Sequence, residues 1–239
     1  MPYYYGIDTT YLLLVLPCIL LSLWASASVN STFKKYSRQL SRRGLTGAQA
    51  AQRVLITNGV TGVRIERVSG NLTDHFDPTT NVIRLSDSVY DSTSTAAIGV
   101  ACHEAGHAVQ YAKHYGPIKL RAAIIPITNI GSHLAMPLIL IGLLITSFSE
   151  LSTMIVYLGI ACFGLTLLFQ LVTLPVEFNA SRRAIAAIEQ AGLLTTEEQK
   201  GAKKTLRAAA MTYVAATAVA LAQLLRLIIL FGNRGKRRD

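Results

Sequence analysis

Apolar and polar positions fall into long blocks along this chain. Apolar runs cover 11–29, 122–148, 151–174 and 208–231, and polar stretches of mixed pattern separate them. Each run is close to the roughly 20 residues a helix needs to cross a bilayer. We therefore expect four spans. The second run is interrupted by Pro126, Gly131 and Pro137, and the fourth carries Arg226. The first run is too long for the core of a signal peptide, and no Lys or Arg precedes it. Ala25-Ser26-Ala27 imitates a cleavage site. However, the positive charge (Lys34, Lys35, Arg38, Arg42, Arg43) follows the run, where a signal peptide has it before.

The segment 30–121 has a shorter-period pattern. Positions 46–58 read as a short helix ended by Gly59, 63–68 alternate as a strand, and 81–85 read as a second strand after a turn rich in Asp, Asn, Thr and Pro. Positions 94–115 read as a helix closed by Gly116-Pro117. The expected architecture is mainly α: an integral-membrane helical bundle of about four spans carrying a small α+β core. Its blocks are an N-terminal span (1–29), a cytosolic segment (30–121), a transmembrane hairpin (122–174), a second cytosolic segment (175–207), and a last span with a basic tail (208–239).

Composition supports the membrane reading. Of 239 residues, 51% are hydrophobic and 15% charged, against about a quarter charged in soluble domains. The net charge of +10 does not point to nucleic acid, because the basic residues flank apolar runs instead of interleaving with aromatics. Eighteen Lys and Arg lie in 30–121 and 175–207, and none precedes the first run. The excess of positive charge on the inner side then puts both segments in the cytosol and the N-terminus outside. The tail Arg234, Lys236, Arg237, Arg238 runs against this, since four full crossings place it outside. Tyr3, Tyr4, Tyr5 and Trp24 suit interfacial belts. The three cysteines are scattered and suggest no disulfide framework, and Cys102 reads as a small buried residue.

Candidate chemistry enters at His103-Glu104-Ala105-Gly106-His107, an H-E-x-x-H pattern. Residues four apart lie roughly 40° apart around a helix, so both imidazoles can reach one metal ion. The intervening Glu104 can act as general base on a water that zinc acidifies toward a pKa of about 7. The alternative is a polar helix with two solvated histidines. The small apolar flanks 95–102 and 108–109 argue against it, because a buried His-Glu-His cluster needs a partner.

A catalytic zinc wants a third protein ligand and an open position. A metzincin would place Gly three and His six residues beyond the second His; here Gln110 and Lys113 stand there. His114 shares the helix face but lies about 10 Å further along the axis, and reads as a helix-end residue. Glu177 is the better candidate. Pro175 suits the first turn of a new helix, which puts Glu177 in that turn, on the same side of the membrane as His103. An ordinary acid at a helix N-terminus fits the same pattern. Ser181, four residues on, shares its face and can hydrogen-bond a ligand.

His103-Glu104-x-x-His107 with 177–183 (Glu-Phe-Asn-Ala-Ser-Arg-Arg) behind two spans resembles the YugP-type family of neutral zinc metallopeptidases. Positions 72–78 and 82–86 resemble it as well, and the likeness runs from about Ser31 to the tail. The family is related more distantly to membrane gluzincins of the HtpX and CAAX-prenyl protease kind. The resemblance implies zinc, with His103, His107 and Glu177 as ligands and Glu104 as base. It also implies a bacterial plasma membrane. Those relatives commonly have an acid four residues after the ligand Glu, where this chain has Ser181.

The remaining readings are less specific. Positions 81–85 could be an edge strand that pairs with substrate backbone, or an ordinary core strand. His75, Arg182 and Arg183 are candidates for stabilising an oxyanion; the alternative for His75 is a structural or surface loop histidine, and for the arginines a topology anchor. The function that fits best is a zinc-dependent membrane endopeptidase with a cytosolic active site, acting on polypeptides in or beside the bilayer. A regulatory membrane partner or a homo-oligomer is compatible with such a bundle. Two alternatives stand beside it. One is a non-catalytic zinc-binding scaffold, against which the intact Glu104 argues. The other is a site-2-type intramembrane protease, against which the polar motif helix and the lack of Asp in all four runs argue.

Overall fold

The computed structural model describes residues 3–4, 7–145 and 150–232. Tyr5, residues 146–149 within the short link expected between the second and third runs, and the basic tail 233–239 lie outside the described residues. In chain order the elements are β1 (Tyr3–Tyr4), β2 (Ile7–Asp8), a π-helical turn (Tyr11–Val15) running into α1 (Leu16–Tyr36), α2 (Gly47–Thr57), β3 (Arg64–Val68), β4 (His75–Asp77), β5 (Val82–Ser86), α3 (Thr95–Ala112), α4 (Gly116–Leu144), α5 (Glu150–Gln190) and α6 (Thr196–Phe231). The chain forms two compact units, one of 1–24, 120–174 and 213–239, the other of 25–119 and 175–212.

The first unit is helical apart from the small β1-β2 pairing. The helices of 11–36, α4, α5 and α6 are long and apolar enough to cross a membrane. Their large side chains point outward: Leu13 and Leu144 are each 76% exposed, and Trp24 is 58% exposed. α4 and α5 meet through small residues. A Cβ on Gly159 would come within 2.9 Å of Ala135 O, so only glycine permits that approach. Pro126 and Pro137 lie inside α4 and do not interrupt it. Arg226, whose direction the sequence left open, turns to the N-terminal segment. Its Nε donates to Asp8 Oδ2 (2.8 Å), and Asp8 also accepts from Thr10 Oγ1 (2.6 Å) and the Tyr11 N–H (3.0 Å). A buried or lipid-facing charge is costly alone, and this pairing offsets the cost.

The second unit has a conventional core. Ala50, Val54 and Leu55 of α2, Ile83 and Leu85 of β5, Ile98, Ala101 and Ala105 of α3, Ile188 of α5 and Leu206 of α6 form one apolar cluster. α2 begins at a capping box in which Thr46 and Gln49 bond reciprocally. The sheet order is β3-β5-β4, with β3 parallel and β4 antiparallel to β5. This decides between the two readings of 81–85 in favour of the core strand. β5 is the central strand, not an edge: Val82, Ile83, Leu85 and Ser86 are all buried, as a strand covered on both faces requires. The presumed turn before it also holds a third strand, β4, whose entry is pinned by Asp74 accepting from the Ser86 N–H (2.7 Å) and hydroxyl (2.9 Å).

Two helix ends also differ. α3 closes with the Tyr115 N–H on Gln110 O (2.9 Å) and the His114 N–H on Tyr111 O (3.1 Å). The left-handed residue of this motif is His114 (φ 54°), not Gly116. Gly116 instead opens α4. Pro175 does not begin a new helix. It lies inside the 41-residue α5, whose missing N–H is tolerated in a long apolar helix. Glu177 is therefore mid-helix, and the reading of it as an acid favoured by a helix N-terminus falls away.

Candidate metal centre

α3 is apolar on most of its circumference. Ser94 caps its N-terminus by accepting from the Ala97 N–H (3.2 Å), and nearly every residue from Thr95 to Gln110 is buried. The helix has no solvated face over that stretch, so its polar side chains must find partners. They find them on α5. Gly106 makes the approach possible: a Cβ there would lie 2.7 Å from Ala180 O. The H-E-x-x-H turn thus presses directly on the α5 backbone. Val176, Ala180 and Ala184 form the small-residue stripe that receives it.

At this crossing three potential donors converge. Ligand-capable atoms of His103, His107 and Glu177 lie within 4.8 Å of one another, the one such group among the described residues. Glu177 Oε2 is 3.3 Å from His103 Nε2 and 3.5 Å from His107 Nε2. Glu177 is 3% exposed and His107 and Glu104 8% each. Burial alone would strip the charge from His107. The hydrogen bond to Glu177 and the negative charges of Glu104 and Glu177 outweigh it and hold the imidazole pKa above its ordinary value. A metal ion bound here therefore competes with a proton.

The far side of each imidazole is also fixed. Gln110, fully buried, donates its amide to Val176 O (2.8 Å) and Asn179 Oδ1 (3.0 Å). Only its oxygen is left for His107, so His107 Nδ1–H donates to Gln110 Oε1 (3.0 Å). Nε2, on the opposite edge of the ring, faces Glu177: it donates there while the ring is protonated and offers its lone pair to a metal once that proton is lost. Ser181 Oγ lies 3.1 Å from His103 Nδ1 and holds the orientation of the other ring. Asn179 Oδ1 also accepts from Arg183 Nε (2.7 Å), which ties an arginine to the cluster through two amides. The guanidinium of Arg183 sits over the Tyr115 ring at 5.9 Å.

Two N donors and one O donor, oriented from behind, match what zinc takes from protein. The group has three members, and a structural zinc site has four. The residues present fit a zinc ion with one position left open.

The other candidates stand apart from this group. His75 is exposed on β4, with Nδ1 2.8 Å from Thr73 O. Its neighbour Phe76 packs edge-on to Tyr111 of α3, centroids 5.6 Å apart, so β4 lies along the motif helix. Arg182 is exposed, and His114 is exposed at the helix end. Cys102 is buried in the apolar core, and all three cysteines are free. Sequence reasoning missed Gln110 and Asn179. The available signal was a lone amide three residues past His107 in an otherwise apolar helix, which has to be satisfied by something.

Comparison with known proteins agrees with this geometry. The family described as "Putative neutral zinc metallopeptidase" matches residues 11–232. "Putative membrane protease YugP" of Bacillus subtilis (strain 168) is 45% identical over 223 residues, which cover 93% of this chain and 97% of that protein. No solved structure matches the chain.

Proposed function

We propose, from the premise that this chain belongs to the neutral zinc metallopeptidase family, that it is an integral-membrane endopeptidase whose hydrolytic centre is the α3–α5 crossing. The observation that carries the reading is the convergence of His103, His107 and Glu177 beside the buried Glu104. A zinc ion held by those three side chains supplies Lewis acidity, acidifying water and polarising a peptide carbonyl. Glu104 accepts the proton of the attacking water and returns it to the departing amine. Gln110 keeps His107 in the ligating tautomer, and Ser181 orients His103.

The site belongs to the unit made of 25–119 and 175–212, which carries most of the chain's Lys and Arg. That distribution favours a cytosolic active site. The substrates are then polypeptides that reach the inner face of the bilayer, a class consistent with the relative's description as a membrane protease. With β5 central, an extended substrate has the free edge of β4 to pair with, beside α3. The intramembrane reading is disfavoured because α3 is not among the helices long and apolar enough to cross. The scaffold reading is disfavoured by the open position in a three-donor set.

The test is zinc content and cleavage of an unfolded protein substrate, measured on detergent-purified wild type and Glu104→Gln. We expect about one zinc per chain in both, and chelator-sensitive cleavage that falls at least 10²-fold in the variant. Zinc in both with equal cleavage would remove Glu104 from the mechanism. Lack of zinc in the wild type would remove the centre itself.

A further inference from the structure

A cavity of about 620 Å³ opens in the second unit where three segments meet: the turn before α2, α2 itself, and the C-terminal end of α5. Arg43 and Arg53 line it together with Leu45, Gln190 and Leu193. No acidic residue lines it, and among the described residues neither arginine has a carboxylate partner. Nearby acids are engaged elsewhere. Glu189 pairs with Lys203 (2.7 Å), and Glu198 accepts from the backbone N–H groups of Arg42 (2.8 Å) and Thr195 (2.8 Å). Both arginines are exposed, so water screens their mutual repulsion, but no carboxylate offsets it.

Both arginines are anchored at their backbones. The Arg43 N–H donates to Ser41 Oγ (3.2 Å) and the Gly44 N–H to Ser41 O (3.1 Å), which fixes the turn. Arg53 stands on α2 beside Val54 and Leu55, each 1% exposed. The opposite wall is the end of α5, where Gly192 (φ +56°) takes the left-handed position and the Leu193 N–H bonds Ile188 O (2.9 Å). The Arg43 guanidinium lies 3.2 Å from where a Cβ of residue 192 would be. A side chain there would make the guanidinium give way by a few tenths of an ångström.

We propose that this cavity binds a phosphate group. Two guanidinium forks lining one cavity match the several oxygens of a phosphate better than one carboxylate, and Gln190 on the same lining carries a further amide donor. Leu45 and Leu193 give the anion an apolar flank. The same chemistry is offered by the headgroup of an anionic lipid and by free phosphate. Occupancy would clamp the end of α5, the helix that carries Glu177, to α2.

The experiment uses the full chain in neutral detergent. Inorganic phosphate and pyrophosphate are titrated by calorimetry, and added phosphatidylglycerol or phosphatidylcholine is followed by native mass spectrometry. Wild type is compared with the Arg43→Ala/Arg53→Ala pair and with Lys204→Ala, an exposed cation outside the cavity. We expect the pair to weaken phosphate or phosphatidylglycerol binding at least about tenfold, with Lys204→Ala unchanged and zinc content equal in all three. Loss confined to phosphatidylglycerol identifies a lipid headgroup as the source; loss extending to the inorganic probes identifies a soluble phosphate. Equal binding by wild type and the pair would overturn the proposal. So would equal weakening in Lys204→Ala, which would mark a diffuse basic surface. Because zinc content is read in parallel, failure of this site and failure of the hydrolytic centre are distinguishable.

Discussion

The two units of this chain bury opposite things. In one, leucines such as Leu13, Leu20 and Leu23 face outward while small residues meet inside. In the other, Leu55, Ile83, Leu85, Ile98 and Ile188 are wholly buried, and charged side chains take the surface. The same residue types follow opposite rules because the surroundings differ: hydrocarbon in one case, water in the other. Polar groups follow the same division. Asp8 and Arg226 pair with each other in the first unit, whereas in the second Glu104, His107, Gln110 and Glu177 are buried together at the α3–α5 crossing.

The contrast breaks most visibly at exposed apolar positions. Leu20→Arg should disfavour membrane insertion by about 3 kcal/mol, read as the inserted fraction in a glycosylation-mapping assay. Ile56→Arg, at a similarly exposed position on α2, should change thermal stability by no more than about 0.5 kcal/mol. Equal penalties would mean that both units meet the same solvent.

Next in size is Gln110→Ala, which removes the acceptor that fixes His107. We expect zinc affinity to fall about 10- to 100-fold in competition with a chromophoric chelator, with the fold retained. Wild-type affinity would show that the imidazole is oriented by packing alone.

The smallest effect is at the sheet margin. Hydrogen bonds from Thr80, Arg84 and the Thr79 N–H hold the Asp77 carboxyl below its ordinary 3.8. A group whose folded pKa is depressed contributes stability above its unfolded pKa and loses it as pH falls toward the folded value. The stability gap between wild type and Asp77→Asn should therefore be full near neutrality and shrink below about pH 3.8, as followed in acid-unfolding curves. A gap that is the same at pH 3 and pH 6 would show the charge to be immaterial.

What could be read from sequence depended on distance along the chain. The spans, α2 and the His103–His107 pair are local patterns, and the hydrophobic period or the i,i+4 spacing suffices for them. β4 is three residues long and sits in a turn-rich stretch, so no period could show it. The central place of β5 depends on which strands flank it. Its three apolar residues, Val82, Ile83 and Leu85, fall on both faces of the strand, which was the available hint. Pro175 misled because the first-turn preference of proline is a rule for helices in water, and α5 continues an apolar span. The part of Gln110 exists only after α3 and α5 have met, since both groups its amide donates to lie on the second helix.

Gly106 against Ala180 also bears on timing. His103 and Glu177 are 74 residues apart, so the ribosome makes the histidine pair well before the carboxylate. At about 5–20 residues per second, roughly 4 to 15 s of synthesis separate them. A nascent chain halted within that interval carries the motif but no third donor and no helix for Gly106 to press against. The three side chains can therefore converge only after residue 177 has been made.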